Sequence, residues 1–185
     1  MTPVALALVL AIDVSGSVNA ARYNLQRHGV AEAFRAPSVQ QAVWQAGPNG
    51  IAVAVVEWSD MRFPVVPWRF VATPEDMMRL AADIDAVSRT SLGPTHIGEA
   101  ILFSIAYFGE CRCEPLRRVI DVSGDGVSNG GRNVTAARDA AVEAGITING
   151  LPILEGGAAA SRHRHHHLWR HIRRFAWLSG AELFQ

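Results

Sequence analysis

"LVLAIDVSGSV", Leu8 to Val18, decides the fold. Its apolar half shows no alternation, which is the pattern of a strand covered on both faces. It runs straight into Asp13 and a short Ser/Gly turn, so the carboxylate stands where a buried strand ends. The tetrapeptide DVSG returns at 121–124, inside "RRVIDVSGDG", again after an apolar run. Two such strand ends are expected when parallel strands bring their C-terminal turns to one edge of a sheet.

The rest of the chain fits that reading. Apolar runs alternate with amphipathic segments, which predicts an α/β fold with a mostly parallel sheet. The first strand is expected over 4–12. Asn19 caps a helix to about Phe34, with Tyr23, Val30 and Phe34 on one stripe. "AGPNG" links to a second strand over 51–58, and "FPVVPWRFV", with two prolines, suits an edge. "TPED" opens a helix by a capping box, Thr73 as N-cap, Pro74 at N1 and Asp76 at N3, ending near Val87. A loop, "RTSLGPT", precedes a helix over 97–108 with Ile97, Ile101, Ile105 and Phe108 inward. "RRVIDV" is a strand, 134–144 a helix stopped by Gly145, and "ITINGLPIL" a last strand. We therefore divide the chain into a domain over 1–154 and a basic His/Arg-rich segment over 155–185.

Bulk properties narrow the function. The 185 residues are 49% hydrophobic and 18% charged, the composition of a globular domain. Seventeen basic residues balance seventeen acidic ones, so no global field draws the chain to nucleic acid or acidic lipid. Every basic residue is Arg or His, and the absence of Lys excludes Schiff-base, P-loop and lysine general-base chemistry. The balance hides a basic stretch: residues 161–174 hold five Arg and five His with no acid. "HRHHH" reads as a solvated tail, its Arg neighbours repelling cations. "VALALVLAI" lacks the basic flank and cleavage pattern of a signal peptide, and no run is long enough to span a bilayer. The compartment stays open: periplasmic or secreted if a signal was removed upstream, cytoplasmic otherwise. Cys111 and Cys113, two residues apart, are expected as free thiols, because so short a loop closes a disulfide only with strain.

Three predicted strand-end loops carry oxygen donors. In "DVSGS", Asp13, Ser15 and Ser17 occupy alternate positions, so a carboxylate and two hydroxyls converge. "LGPTHIG" places Thr95 before a helix, and "SGDG" places Asp125 beyond a strand. Two carboxylates and three hydroxyls without nitrogen or sulfur are a hard set, suited to Mg²⁺, Mn²⁺ or Ca²⁺. Such a set leaves a coordination position open, which a partner's Glu or Asp carboxylate can fill. Any one loop alone is more often a turn or cap; the three in this order carry the signal.

Together these residues resemble the metal-ion-dependent adhesion site of von Willebrand factor type A domains. "LVLAIDVSGSV", "VVEWSD", "RRVIDVSGDG" and "VTAARDAAVEAGITINGLPIL" are similar to a bacterial branch of that superfamily over about 4–154. The resemblance implies a Rossmann-like, doubly wound, mostly parallel sheet with helices on both faces and one antiparallel edge strand, in a protein-recognition module that is not an enzyme. It implies Ser15, Ser17 and Thr95 as direct ligands, with Asp13 and Asp125 direct or acting through water. Asp121 and Ser123 are read as supporting the site from behind. The sequence departs from the family at His96, where a small residue is expected, and after Leu154.

Other readings were weighed. A Mg²⁺-dependent phosphoryl hydrolase could use Asp13 as nucleophile, but position 15 is Ser where such enzymes commonly carry a second acid, and no Lys clamps phosphate. A serine hydrolase lacks the nucleophile-elbow glycine two residues before Ser123. Glu57 reads as a turn-facing acid, and His96 as a solvated residue at a helix start.

Overall fold

The computed structural model describes residues 1–47, 49–153 and 174–175. Six strands form one sheet in the order β3-β2-β1-β4-β5-β6: β1 (Thr2–Asp13), β2 (Ile51–Trp58), β3 (Arg62–Val71), β4 (Cys113–Gly124), β5 (Ile146–Pro152) and the two-residue β6 (Arg174–Phe175). All neighbours pair in parallel except β2 with β3. The doubly wound architecture and its antiparallel strand are thus as the sequence predicts. Pro64 and Pro67 lie on β3, an edge strand, where a missing N–H costs least.

β1 lies at the centre because both its faces are apolar. Ala7, Val9 and Ala11 pack on one side with Ile120 and Val122 of β4, beneath Ile101 of α4 (Ile97–Tyr107) and Ala137 and Ala141 of α5 (Val134–Glu143). Leu8, Leu10 and Ile12 pack on the other, with Phe34 of α1 (Ala20–Arg35) and Met77, Leu80 and Ile84 of α3 (Pro74–Asp85). Period-two alternation therefore splits one strand between two cores. The capping box of α3 is present in full, Thr73 and Asp76 exchanging bonds.

Three expectations are corrected. Residues 37–45, left without an element, form α2 (Pro37–Gln45). Pro37 pushes Ala36 into extended backbone, which ends α1, and then starts a new helix at its own N1 position. β4 begins at Cys113, well before "RRVIDV". The cysteines are not free thiols: Cys111 and Cys113 form a disulfide with Cα atoms 5.1 Å apart, and both are buried. Arg112 between them has φ 51°, a left-handed turn that brings its flanking Cα atoms within bridging range. Apart from Arg174 and Phe175, residues 154–185 lie outside the described residues, and with them the "HRHHH" stretch.

Candidate metal centre

Strand order reverses between β1 and β4: from β1 the chain steps to β2 on one side, and β4 later joins the other. That is the switch point at which doubly wound sheets present ligand sites. The two DVSG turns leave β1 and β4 side by side, with Ile12 opposite Ser123 in register.

The first turn is built around Asp13, which is fully buried. Its Oδ1 accepts from the Ser15 amide at 2.8 Å, fixing the turn. Ser15 Oγ lies 3.2 Å from Ser17 Oγ, and Ser17 Oγ donates to Asp125 Oδ1 at 2.8 Å. Asp13, Ser15, Ser17 and Asp125 are thereby joined in one chain of hydrogen bonds across two loops. Burial, opposed by the bonds from Ser15 and reinforced by the nearby Asp125 charge, raises the Asp13 carboxyl to about 6. Its Oδ2 is buried and has no hydrogen-bond partner among the described residues. A buried carboxylate oxygen without a donor is costly unless a cation takes it. At Gly124 a Cβ would fall 2.8 Å from that same Oδ2, so glycine there leaves the oxygen its space. An unsatisfied carboxylate oxygen beside hydroxyls and a second carboxylate fits a hard divalent ion.

The Thr95 loop docks against the first turn through Gly16 N–H, which donates to Gly93 O at 2.9 Å. At Gly93 the Asp60 carboxylate packs where a Cβ would stand. Thr95 is 3% exposed and is clamped by the loop after β4: its N–H donates to Asn129 Oδ1 at 2.8 Å, and its carbonyl accepts from Asn129 N–H at 2.9 Å and Ser128 Oγ at 3.2 Å. All three loops are thus mutually fastened. His96, the departure from the family pattern, packs over Gly130 and Gly131 of this loop.

The supporting residues separate. Ser123 Oγ donates to Gln26 Oε1 at 2.7 Å, and Gln26 Nε2 donates to Asp13 O at 3.2 Å, a relay from β4 to the turn through α1. Asp121 lies further down β4 opposite Leu10, accepts from Asn149 Nδ2 at 2.7 Å, and is raised to about 6 by burial. It lines a cavity of about 360 Å³ with Leu25, Val30 and Leu151, whose wall also includes Gln26 and Ser123 of that relay.

Several residues that position the site went unnoticed in the sequence. Arg22 Nη1 bonds Asp125 Oδ2 at 2.6 Å and reaches Ser17 O at 3.4 Å. Arg89 Nη2 donates to the carbonyls of Val14 and Ser15 at 2.9 and 2.7 Å. Glu57 is no turn-facing acid: it is 1% exposed and accepts from Tyr23 Oη at 2.6 Å and from Thr90 N and Oγ1 at 2.8 and 2.7 Å. It ties the helix after the first turn to the loop that carries Arg89. Burial and this bond to Glu57 raise the Tyr23 phenol. Among the described residues no cluster of three or more His, Cys, Asp or Glu side chains forms.

A family model described as "Protein of unknown function (DUF1194)" matches residues 3–175. The chain belongs to this family. Its fold matches solved structures of low identity. Proximal thread matrix protein 1 from the mussel byssus, with a zinc-occupied MIDAS motif, aligns with a TM-score of 0.62 and 18% identity over 97% of this chain and 43% of that one. BatB from Bacteroides thetaiotaomicron gives 0.58 and 21% over 83% and 73%. The pilus adhesin SpaC from Lactobacillus rhamnosus GG gives 0.63 and 13% over 95% and 29%. This DUF1194 chain therefore has a von Willebrand factor type A-like fold, and it spans less than half the length of the mussel and pilus proteins. No curated protein matches it in sequence.

Proposed function

We propose that this chain is a divalent-metal-dependent protein-recognition module and not an enzyme. Asp13, Ser15, Ser17, Thr95 and Asp125 hold one Mg²⁺, Mn²⁺ or Ca²⁺, and a Glu or Asp carboxylate of a protein partner completes its coordination. The observation that carries this is Asp13 Oδ2, a buried carboxylate oxygen with no donor among the described residues, in the same hydrogen-bonded chain as Ser15, Ser17 and Asp125. When bound, the ion supplies a positive charge and an acceptor site for an anionic oxygen. The chain's own part is to hold the donors: Gln26 and Arg89 fix the turn carbonyls, and Asn129 and Ser128 fix Thr95.

The adhesin and byssus-protein structures that share the fold favour recognition over catalysis. The phosphoryl hydrolase alternative requires Asp13 to attack substrate, and Asp13 is fully buried with Oδ1 held by the Ser15 amide. Cys111–Cys113 favours an oxidising compartment, periplasmic or extracellular. No helix among the described residues is long and apolar enough to cross a membrane.

Isothermal titration of the full chain with MgCl₂ tests the reading. Saturable binding at one site, abolished in Asp13→Ala, supports it. No heat from the wild type, or equal binding by the variant, refutes it. A metal-dependent phosphatase activity lost in Asp13→Asn would promote the hydrolase.

A further inference from the structure

Arg22 breaks a local rule. It sits in the first turn of α1, where the helix dipole favours acids, and no acid is present in that turn. Its backbone N–H bonds Asn19 Oδ1 at 2.9 Å, and its side chain runs back over the helix start to the donor loops. There it bonds Asp125 Oδ2 at 2.6 Å, while Ser17 holds the other oxygen of the same carboxylate. The Asp125 side chain is only 2% exposed and Arg22 21%, so water screens this pair weakly. A misplaced cation aimed at a buried acid of the donor set is explained by that acid, not by the helix.

Both Asp125 oxygens are thus occupied by the chain itself. Each oxygen keeps a further lone pair for a cation, but a divalent ion that engages Asp125, directly or through water, meets a fixed positive charge next to the carboxylate. Asp13 and Asp125 bring two negative charges and Arg22 cancels one of them. We propose that Arg22 is a built-in counter-cation of the metal site: its charge, fixed beside Asp125, weakens the ion's affinity. This rests on the metal-binding reading above.

The test is titration of MgCl₂, a probe that disfavours the histidine-rich stretch, into full-length wild type, Arg22→Gln, Arg22→Met and Arg22→Lys at low ionic strength. Removing a unit charge about 6 Å from a divalent ion corresponds to roughly tenfold in Kd at a dielectric near that of water, and to more at a lower one. Both neutral variants are expected to bind Mg²⁺ about tenfold more tightly, and Arg22→Lys to stay within about twofold of wild type, with the gap narrowing at high salt. A merely structural role predicts the opposite sign, because damage to a site weakens it. Two neutral variants guard against one failing to fold. If wild type binds Mg²⁺ and the folded neutral variants bind it equally or less tightly, the counter-cation role is wrong and the metal site stands. If neither wild type nor variants bind, the metal reading itself fails and the inference with it.

Discussion

Asp121 offers a measurable consequence of burying a carboxylate in the sheet. One oxygen accepts from Asn149 Nδ2 at 2.7 Å; the other is buried and has no partner among the described residues. Burial raises the group from 3.8 to about 6. The sign follows from proton binding: between those values the folded chain holds a proton that the unfolded chain has released. The contribution of Asp121 to stability therefore falls as pH rises from 4 to 7, and its cost is fully present only above about 7. Two pH units of displacement correspond to about 3 kcal/mol. Asp121→Asn cannot titrate, so whatever its constant cost, its stability relative to wild type should climb by about 2.5 kcal/mol between pH 4 and pH 7.5. Urea unfolding followed by tryptophan fluorescence, in EDTA and at several pH values, measures that difference. A difference that stays flat across the range would refute the argument, because a carboxylate that does not pay for burial cannot produce the slope.

Three further outcomes are expected. Gly124→Ala forces a methyl to within 2.8 Å of Asp13 Oδ2 and should cost about 1–3 kcal/mol in urea unfolding, together with Mg²⁺ binding. Tyr23→Phe removes the 2.6 Å bond to buried Glu57 and should destabilise by about 1–3 kcal/mol, while Tyr23→Phe in a Glu57→Gln background should cost less, as a double-mutant cycle will show. Protein purified without reductant should leave Cys111 and Cys113 unlabelled by maleimide after denaturation, and label fully only after reduction; labelling without reductant would remove the disulfide and the compartment argument drawn from it.

Much of the fold was legible because its signals are strong and local. The unbroken apolar run before Asp13 is the pattern of a strand covered twice, and the Thr73 capping box states its own helix start. Helix α2 was hidden by its shortness and by Ala36, whose break before Pro37 looks like a loop from sequence alone. The disulfide was missed because its closure depends on one residue's φ, the left-handed Arg112, which no residue type announces. For the site, the strand-end carboxylates and hydroxyls could be read from spacing. The residues that hold them could not: Gln26, Arg89 and Asn129 reach the loops across 13, 74–75 and 34 residues of chain. Arg22 alone left a trace, a cation where a helix start favours an acid.

The central claim is that three loops converge on one ion. A crystal of the full chain soaked in MnCl₂, with data collected at the manganese edge, tests it most directly. One anomalous peak is expected, bounded by Asp13, Ser15, Ser17, Thr95 and Asp125. No peak there, or manganese bound only at the histidines of 163–167, would contradict it.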